Sequence, residues 1–146
     1  MATAQRSAQC TWNGDLAHGK GMVDGASGAF TELPVTWASR TERSAGQTSP
    51  EELIAAAHAS CFSMALAHEL SQGGNVPDQL EVTARVTLDE RDGAPTVTTS
   101  EITVEGRVPG VDQEAFTKAA TNAGEQCPVS RALGGVEISV QATLSS

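Results

Sequence analysis

The sequence predicts an α+β domain in which antiparallel strands wrap a long helix carrying a cysteine at its middle. Three observations lead there. The stretch 49–73 is apolar almost throughout and has helix signals at both ends. Residues 80–90 and 96–108 alternate apolar and polar over two long runs joined by a turn. Residues 5–33 hold short strand-like runs separated by glycine-containing turns. With 146 residues and no evident linker, one compact domain is expected over 1–146.

Taken in order, residues 5–13 and 18–24 read as a strand pair joined around Asn13-Gly14-Asp15. A third short strand is expected over 29–33, after the turn at 24–28. Cys10 falls in the first strand and is read as a half-buried strand residue without chemistry. Residues 34–48 read as an irregular stretch carrying Trp37, Arg40, Glu42 and Arg43, with Glu42 and Arg43 solvated.

The long helix begins at Ser49, a good N-cap, with Pro50 at the first helical position and Glu52 completing a capping-box pattern. Gly73-Gly74 supplies a left-handed stop. Steps of three and four residues from Cys61 collect Ile54, Ala57, His58, Met64, Ala65 and His68 on one side. Leu53, Ala56, Phe62, Leu66 and Leu70 cover much of the rest. A helix so apolar all round is expected to be buried.

After a turn at 75–78, the runs 80–90 and 96–108 form an antiparallel hairpin about Arg91-Asp92-Gly93, with one buried face. Asp112 caps a second helix over 112–125. Pro128 then opens a short helix with Cys127 at its N-cap, where backbone N–H groups favour a thiolate. Gly134-Gly135 breaks that helix, and 136–144 is a final alternating strand.

The totals exclude several classes of function. Nine basic against eighteen acidic residues leave a formal charge of −9, which disfavours nucleic acid and anionic membrane surfaces as partners. The absence of Tyr argues against a base-stacking platform. No apolar run approaches the roughly 18 residues of a membrane span, because charges interrupt each candidate. The N-terminus lacks the apolar region of a signal peptide, so a cytoplasmic protein with reduced thiols is expected.

Cys61 is either small core filler or a sheltered nucleophile, and the helix pattern alone favours filler. Cys61 and Cys127 do not form a C-x-x-C pair, and no second pair closes a four-ligand zinc site. His58, three residues before Cys61, keeps a mononuclear metal site conceivable. A satisfied core histidine is the preferred reading, and neither a metal nor a bound cofactor is expected.

Two cysteine motifs change the balance. Ser49-Pro50-Glu51-Glu52-Leu53-Ile54-Ala55-Ala56-Ala57-His58-Ala59-Ser60-Cys61 resembles the first cysteine motif of the OsmC/Ohr family. Cys127-Pro128-Val129-Ser130-Arg131-Ala132-Leu133 resembles its second. Trp12-Asn13-Gly14-Asp15, Gly19-Lys20-Gly21 and Val108-Pro109-Gly110-Val111-Asp112 are also similar to the OsmC branch. The likeness runs in order through essentially the whole chain. One departure is Ser49 where the family commonly has Asn, and both residues cap helices well.

The resemblance implies an intertwined homodimer that reduces organic hydroperoxides with thiols. It implies Cys61 as the peroxidatic cysteine and Cys127 as the resolving one. Arg40 falls at the family's active-site arginine, and Glu51 at the carboxylate that holds it. Trp37, Phe62 and Met64 are candidate apolar walls for the substrate. A lipoyl-bearing protein or small dithiol is the implied reductant. The competing classes are a non-catalytic stress-related ligand-binding module and a dithiol redox sensor on the same fold.

Overall fold

The computed structural model describes residues 2–42 and 46–146. The chain divides into two compact units, Met1–Leu53 and Ile54–Ser146, where the sequence suggests one domain.

The first unit is a three-stranded antiparallel meander in the order β1-β2-β3. Strands β1 (Ala8–Asn13) and β2 (Lys20–Gly25) pair from Ala8 opposite Gly25 to Asn13 opposite Lys20. The third strand, β3 (Leu33–Val35), begins where the sequence reading ends its strand. The stretch expected to be irregular contains a helix, α1 (Trp37–Thr41). Thr36 caps it by accepting from the Ser39 N–H, and the Ser39 side chain bonds back to the Thr36 backbone. This serine version of the capping box is easily missed in a five-residue helix. Arg43 lies outside the described residues, so its reading as a solvated loop residue does too. Cys10 is exposed rather than half-buried, because every residue of β1 lies open.

The long helix, α2 (Pro50–Gln72), starts as the sequence indicates. The Glu52 N–H donates to Ser49 Oγ at 3.1 Å, while the Glu52 carboxylate accepts from Thr48 Oγ1 at 2.8 Å. Ser49 therefore caps one way only.

In the second unit β4 (Gln79–Arg91) and β5 (Ala94–Arg107) form the expected hairpin. Its turn places Asp92 and Gly93 at φ of 54° and 77°, the double positive-φ geometry that Asp-Gly favours. Helices α3 (Gln113–Gln126) and α4 (Pro128–Ala132) then carry the chain across, and β6 (Glu137–Leu144) lies parallel to β5. The sheet order is β4-β5-β6. The expectation of antiparallel strands throughout is thus corrected at β6, since a helical crossover returns the chain in the same direction.

The core joins Phe62, Leu66 and Leu70 of α2 to Ile102 and Val104 of β5 and Phe116 and Ala120 of α3. Gly106 lets α3 approach: a Cβ there would run into the Phe116 ring. Helix α2 buries a single stripe at four-residue steps, His58, Phe62, Leu66 and Leu70, and not the whole circumference expected. Met64 on another face is 67% exposed. A second correction concerns hydropathy. Alanines keep α2 apolar between its few charges, so an 18-residue window within its 23 residues reaches a mean hydropathy of 1.2 and meets the length and composition of a membrane span. The inner stripe of this helix nevertheless packs into the protein core.

Candidate active site

Two clusters hold the residues singled out in the sequence. In the first unit α1 presents Arg40 to Glu51, in the first turn of α2. Arg40 Nε and Nη2 both lie 2.9 Å from Glu51 Oε1. Glu51 is 7% exposed, and its second oxygen, Oε2, is buried without a hydrogen-bond partner among the described residues. The carboxylate therefore holds the guanidinium through one oxygen, where a fork-to-fork pair would use two. The Arg40 guanidinium also stands over the Trp37 ring, 5.9 Å from its centre, close enough for a cation–π contact. Ser39 ties this corner together by donating to the Thr48 carbonyl at 2.8 Å.

In the second unit the fold brings Cys61, midway along α2, to Cys127, at the joint between α3 and α4. Both are free thiols; Cys61 is partly exposed and Cys127 fully buried. Burial pushes the Cys61 thiol up and the Val129 N–H pulls it down, while the hydrogen bond and charge of Cys127 push it up further. The net direction is upward. Burial also pushes Cys127 up, but the Ser130 N–H, the Cys61 thiol, the Ser130 hydroxyl and the Val129 N–H together bring it below the ordinary cysteine value. No full capping hydrogen bond reaches the Cys127 side chain, so these N–H groups act on the sulfur as dipoles at the helix start. Each thiol acts on the other's ionisation, and charge on the pair is drawn toward Cys127.

A cavity of about 560 Å³ opens on Cys61, lined also by Met64, Ala65, His68, Ala123 and Pro128. Phe62 is not among its walls. It is fully buried in the core with Leu66 and Ile102, so its expected place at the substrate is corrected. A two-residue separation along a helix turns side chains about 200° apart, which is why Met64 faces the cavity and Phe62 the sheet.

One group was undervalued in the sequence. His58 is fully buried on the inner stripe of α2, with Nδ1 2.7 Å from Ser100 Oγ and Nε2 2.8 Å from Ser130 Oγ. Burial lowers its pKa, so the ring is neutral near pH 7. Both ring nitrogens are occupied by serine hydroxyls, as the core-histidine reading requires. Ser100 is in phase with Ile102 and Val104 on the inward face of β5, and that phase was the available signal.

The family model described as OsmC-like protein matches residues 43–141. The chain belongs to the OsmC family. It is 40% identical over 131 residues to Peroxiredoxin OsmC of Escherichia coli (strain K12), covering 90% of this chain and 91% of that one. The fold is similar to the organic hydroperoxide resistance protein OhrB of Bacillus subtilis, with a TM-score of 0.73 and 25% identity over 94% of this chain and 98% of that one. An organic hydroperoxide resistance protein OsmC from Legionella pneumophila shares the fold at a TM-score of 0.76 and 22% identity, over 98% and 99% of the two chains.

Proposed function

We propose that this OsmC-family protein is a thiol peroxidase that reduces organic hydroperoxides to alcohols through Cys61 and Cys127. Its relatives, a peroxiredoxin and organic hydroperoxide resistance proteins, support a peroxidase-type redox role. The observation that carries the mechanism is the pairing of two free thiols, one open to a cavity and one buried behind it, each acting on the other's ionisation.

Exposure assigns the roles. Cys61 lines the cavity and meets the substrate, whereas Cys127 is fully buried and is not among the cavity's walls. The pair's charge rests toward Cys127, and transfer of the Cys61 proton to the Cys127 sulfur puts it on Cys61 for attack. The Cys61 thiolate attacks the terminal peroxide oxygen. The O–O bond breaks, Cys61 becomes a sulfenic acid, and the alkoxide takes the proton held on Cys127 to leave as the alcohol, which leaves Cys127 a thiolate. Cys127 then gives its electron pair to the sulfenic sulfur. The S–S bond forms, the S–O bond breaks, and hydroxide leaves as water once protonated. An external dithiol, lipoyl-bearing or small, reduces the disulfide, and no bound cofactor takes part.

In this reading Arg40 is the permanent cation that favours the Cys61 thiolate and the charge developing on the leaving oxygen. Glu51 keeps Arg40 aligned, and Trp37 and Met64 supply apolar walls for the alkyl group. The two units act as one OsmC-like domain within a cytoplasmic homodimer, whose assembly would cover the open faces of α2. The test is steady-state consumption of cumene hydroperoxide and hydrogen peroxide with dihydrolipoamide or a monothiol. The expected result is turnover with the dithiol, faster for cumene hydroperoxide. No peroxide consumption would sink the reading, and thiol exchange with a partner protein would then favour a redox sensor.

A further inference from the structure

We propose that the external dithiol attacks the disulfide at the Cys61 sulfur and expels Cys127. Cys127, held behind Cys61, then reverses the attack of any monothiol, so a dithiol completes the reduction where a monothiol does not. The inference deepens the peroxidase reading, since it rests on the Cys61–Cys127 disulfide which that reading contains.

Access to the two sulfurs decides the first step. Thiol–disulfide exchange is an in-line displacement: the incoming thiolate approaches one sulfur from the side opposite the other. Cys61 is partly exposed and lines the cavity of about 560 Å³, together with Met64, Ala65, Ala123, Gln126 and Pro128. Gln126 and Pro128 flank Cys127 in the chain, so the shared wall brings Cys61 up to the α3–α4 joint. Cys127 itself is fully buried in the core cluster with Phe62, Phe116, Ala120 and Ala123, and it is not among the cavity's walls. Its backbone is tied on both sides, the N–H donating to the Ala123 carbonyl at 2.8 Å and the carbonyl accepting from the Arg131 N–H at 3.0 Å. A thiolate reaching the Cys127 sulfur would have to displace packed core atoms, whereas the Cys61 sulfur is open to the cavity.

The leaving group agrees with the access. Exchange is faster when the departing thiol is the more acidic one, and the surroundings lower Cys127 while they raise Cys61. In the first step a reductant thiolate bonds to Cys61 Sγ, the Cys61–Cys127 bond breaks, and its electron pair leaves on Cys127. Cys127 then stands beside a mixed disulfide. Its attack on the Cys61 sulfur re-forms the protein disulfide and releases a monothiol unchanged. A dithiol carries a second thiolate on the same molecule. That thiolate bonds to the reductant's own sulfur, Cys61 leaves with the electron pair, and the reductant departs as a cyclic disulfide. The reductant loses two electrons and two protons, and the two cysteines gain them. Met64, Ala65, Ala123 and Pro128 give this exchange apolar walls, which suit a dithiol borne on an alkyl chain.

The test uses the full chain carrying Cys10→Ser, with its disulfide formed by diamide. Excess 2-mercaptoethanol is added, the reaction is stopped in acid, and the chain is alkylated in denaturant and mapped by mass spectrometry. The mercaptoethanol adduct is expected on Cys61, with Cys127 alkylated. Reduction is also expected to be second order in 2-mercaptoethanol and first order in dithiothreitol, because a monothiol must intercept the mixed disulfide before Cys127 returns. An adduct on Cys127 would overturn the proposal, as would first-order reduction by 2-mercaptoethanol. Failure of diamide to link Cys61 and Cys127 would overturn it together with the two-cysteine couple. No peroxide enters the experiment. A Cys61 adduct in a protein that consumes no peroxide would therefore uphold this order of exchange and remove only the peroxidase reading.

Discussion

Phe62 and Met64 are two residues apart on one helix and should respond to truncation in opposite ways. Phe62 is fully buried among Leu66, Ile102 and Phe116. Phe62→Ala removes a whole ring from a packed core, and such changes cost about 3–5 kcal/mol. At about 2–4 °C per kcal/mol for a chain of this size, the melting midpoint should fall by roughly 6–20 °C. Met64 is 67% exposed, so Met64→Ala forfeits little burial and should stay within about 0.5 kcal/mol. Selectivity should reverse the order. Met64 lines the cavity at Cys61 and Phe62 does not, so Met64→Ala should lower the preference for cumene hydroperoxide over hydrogen peroxide. Phe62→Ala, assayed well below its midpoint, should keep that preference. Thermal melts followed by circular dichroism and paired kcat/KM values supply both readouts. An unmoved midpoint in Phe62→Ala, or a loss of selectivity equal to that of Met64→Ala, would refute the placement of the two side chains.

Three further outcomes are expected. Cys127→Ala removes a hydrogen bond and a charge that both push Cys61 up, so Cys61 should ionise at lower pH, read by thiolate ultraviolet absorbance in a Cys10→Ser background. Gly106→Ala should cost about 1–3 kcal/mol by forcing a methyl against the buried Phe116 ring, and Phe116→Leu in the same chain should recover part of it in denaturant melts. His58 has a pKa depressed below the usual 6.5 by burial, so as pH falls the unfolded chain takes up its proton first. Stability from this group is therefore full above about 6.5 and is lost as pH drops toward the lowered native value; denaturation midpoints over that range should flatten in His58→Gln.

Much of the fold was written locally. Ser49-Pro50 and Gly73-Gly74 bound α2, Asp92-Gly93 makes the hairpin turn, and Asp112 caps α3, because each is a short-range preference of the backbone. What depended on distant partners was not legible. Helix α1 rests on a serine-based box and on the Ser39 bond to the Thr48 carbonyl, nine residues on. The parallel register of β6 comes from the crossover, which no alternation pattern reveals. The inner face of α2 was misjudged because alanines blur its periodicity, so Phe62 was assigned to the substrate, whereas His58 was read as the satisfied core histidine it is. Arg40 and Glu51 do meet, as the motif resemblance implied, though through one carboxylate oxygen only. The His58 contacts span 42 and 72 residues and had only the phase of Ser100 to announce them.

The central claim is that Cys61 and Cys127 form one redox couple. It is tested most directly by counting free thiols in the reduced protein before and after one equivalent of cumene hydroperoxide. Three thiols should fall to one, with Cys61→Ser blocking the loss and Cys127→Ser accumulating a sulfenic or over-oxidised Cys61. Survival of all three thiols in the parent protein would contradict the account.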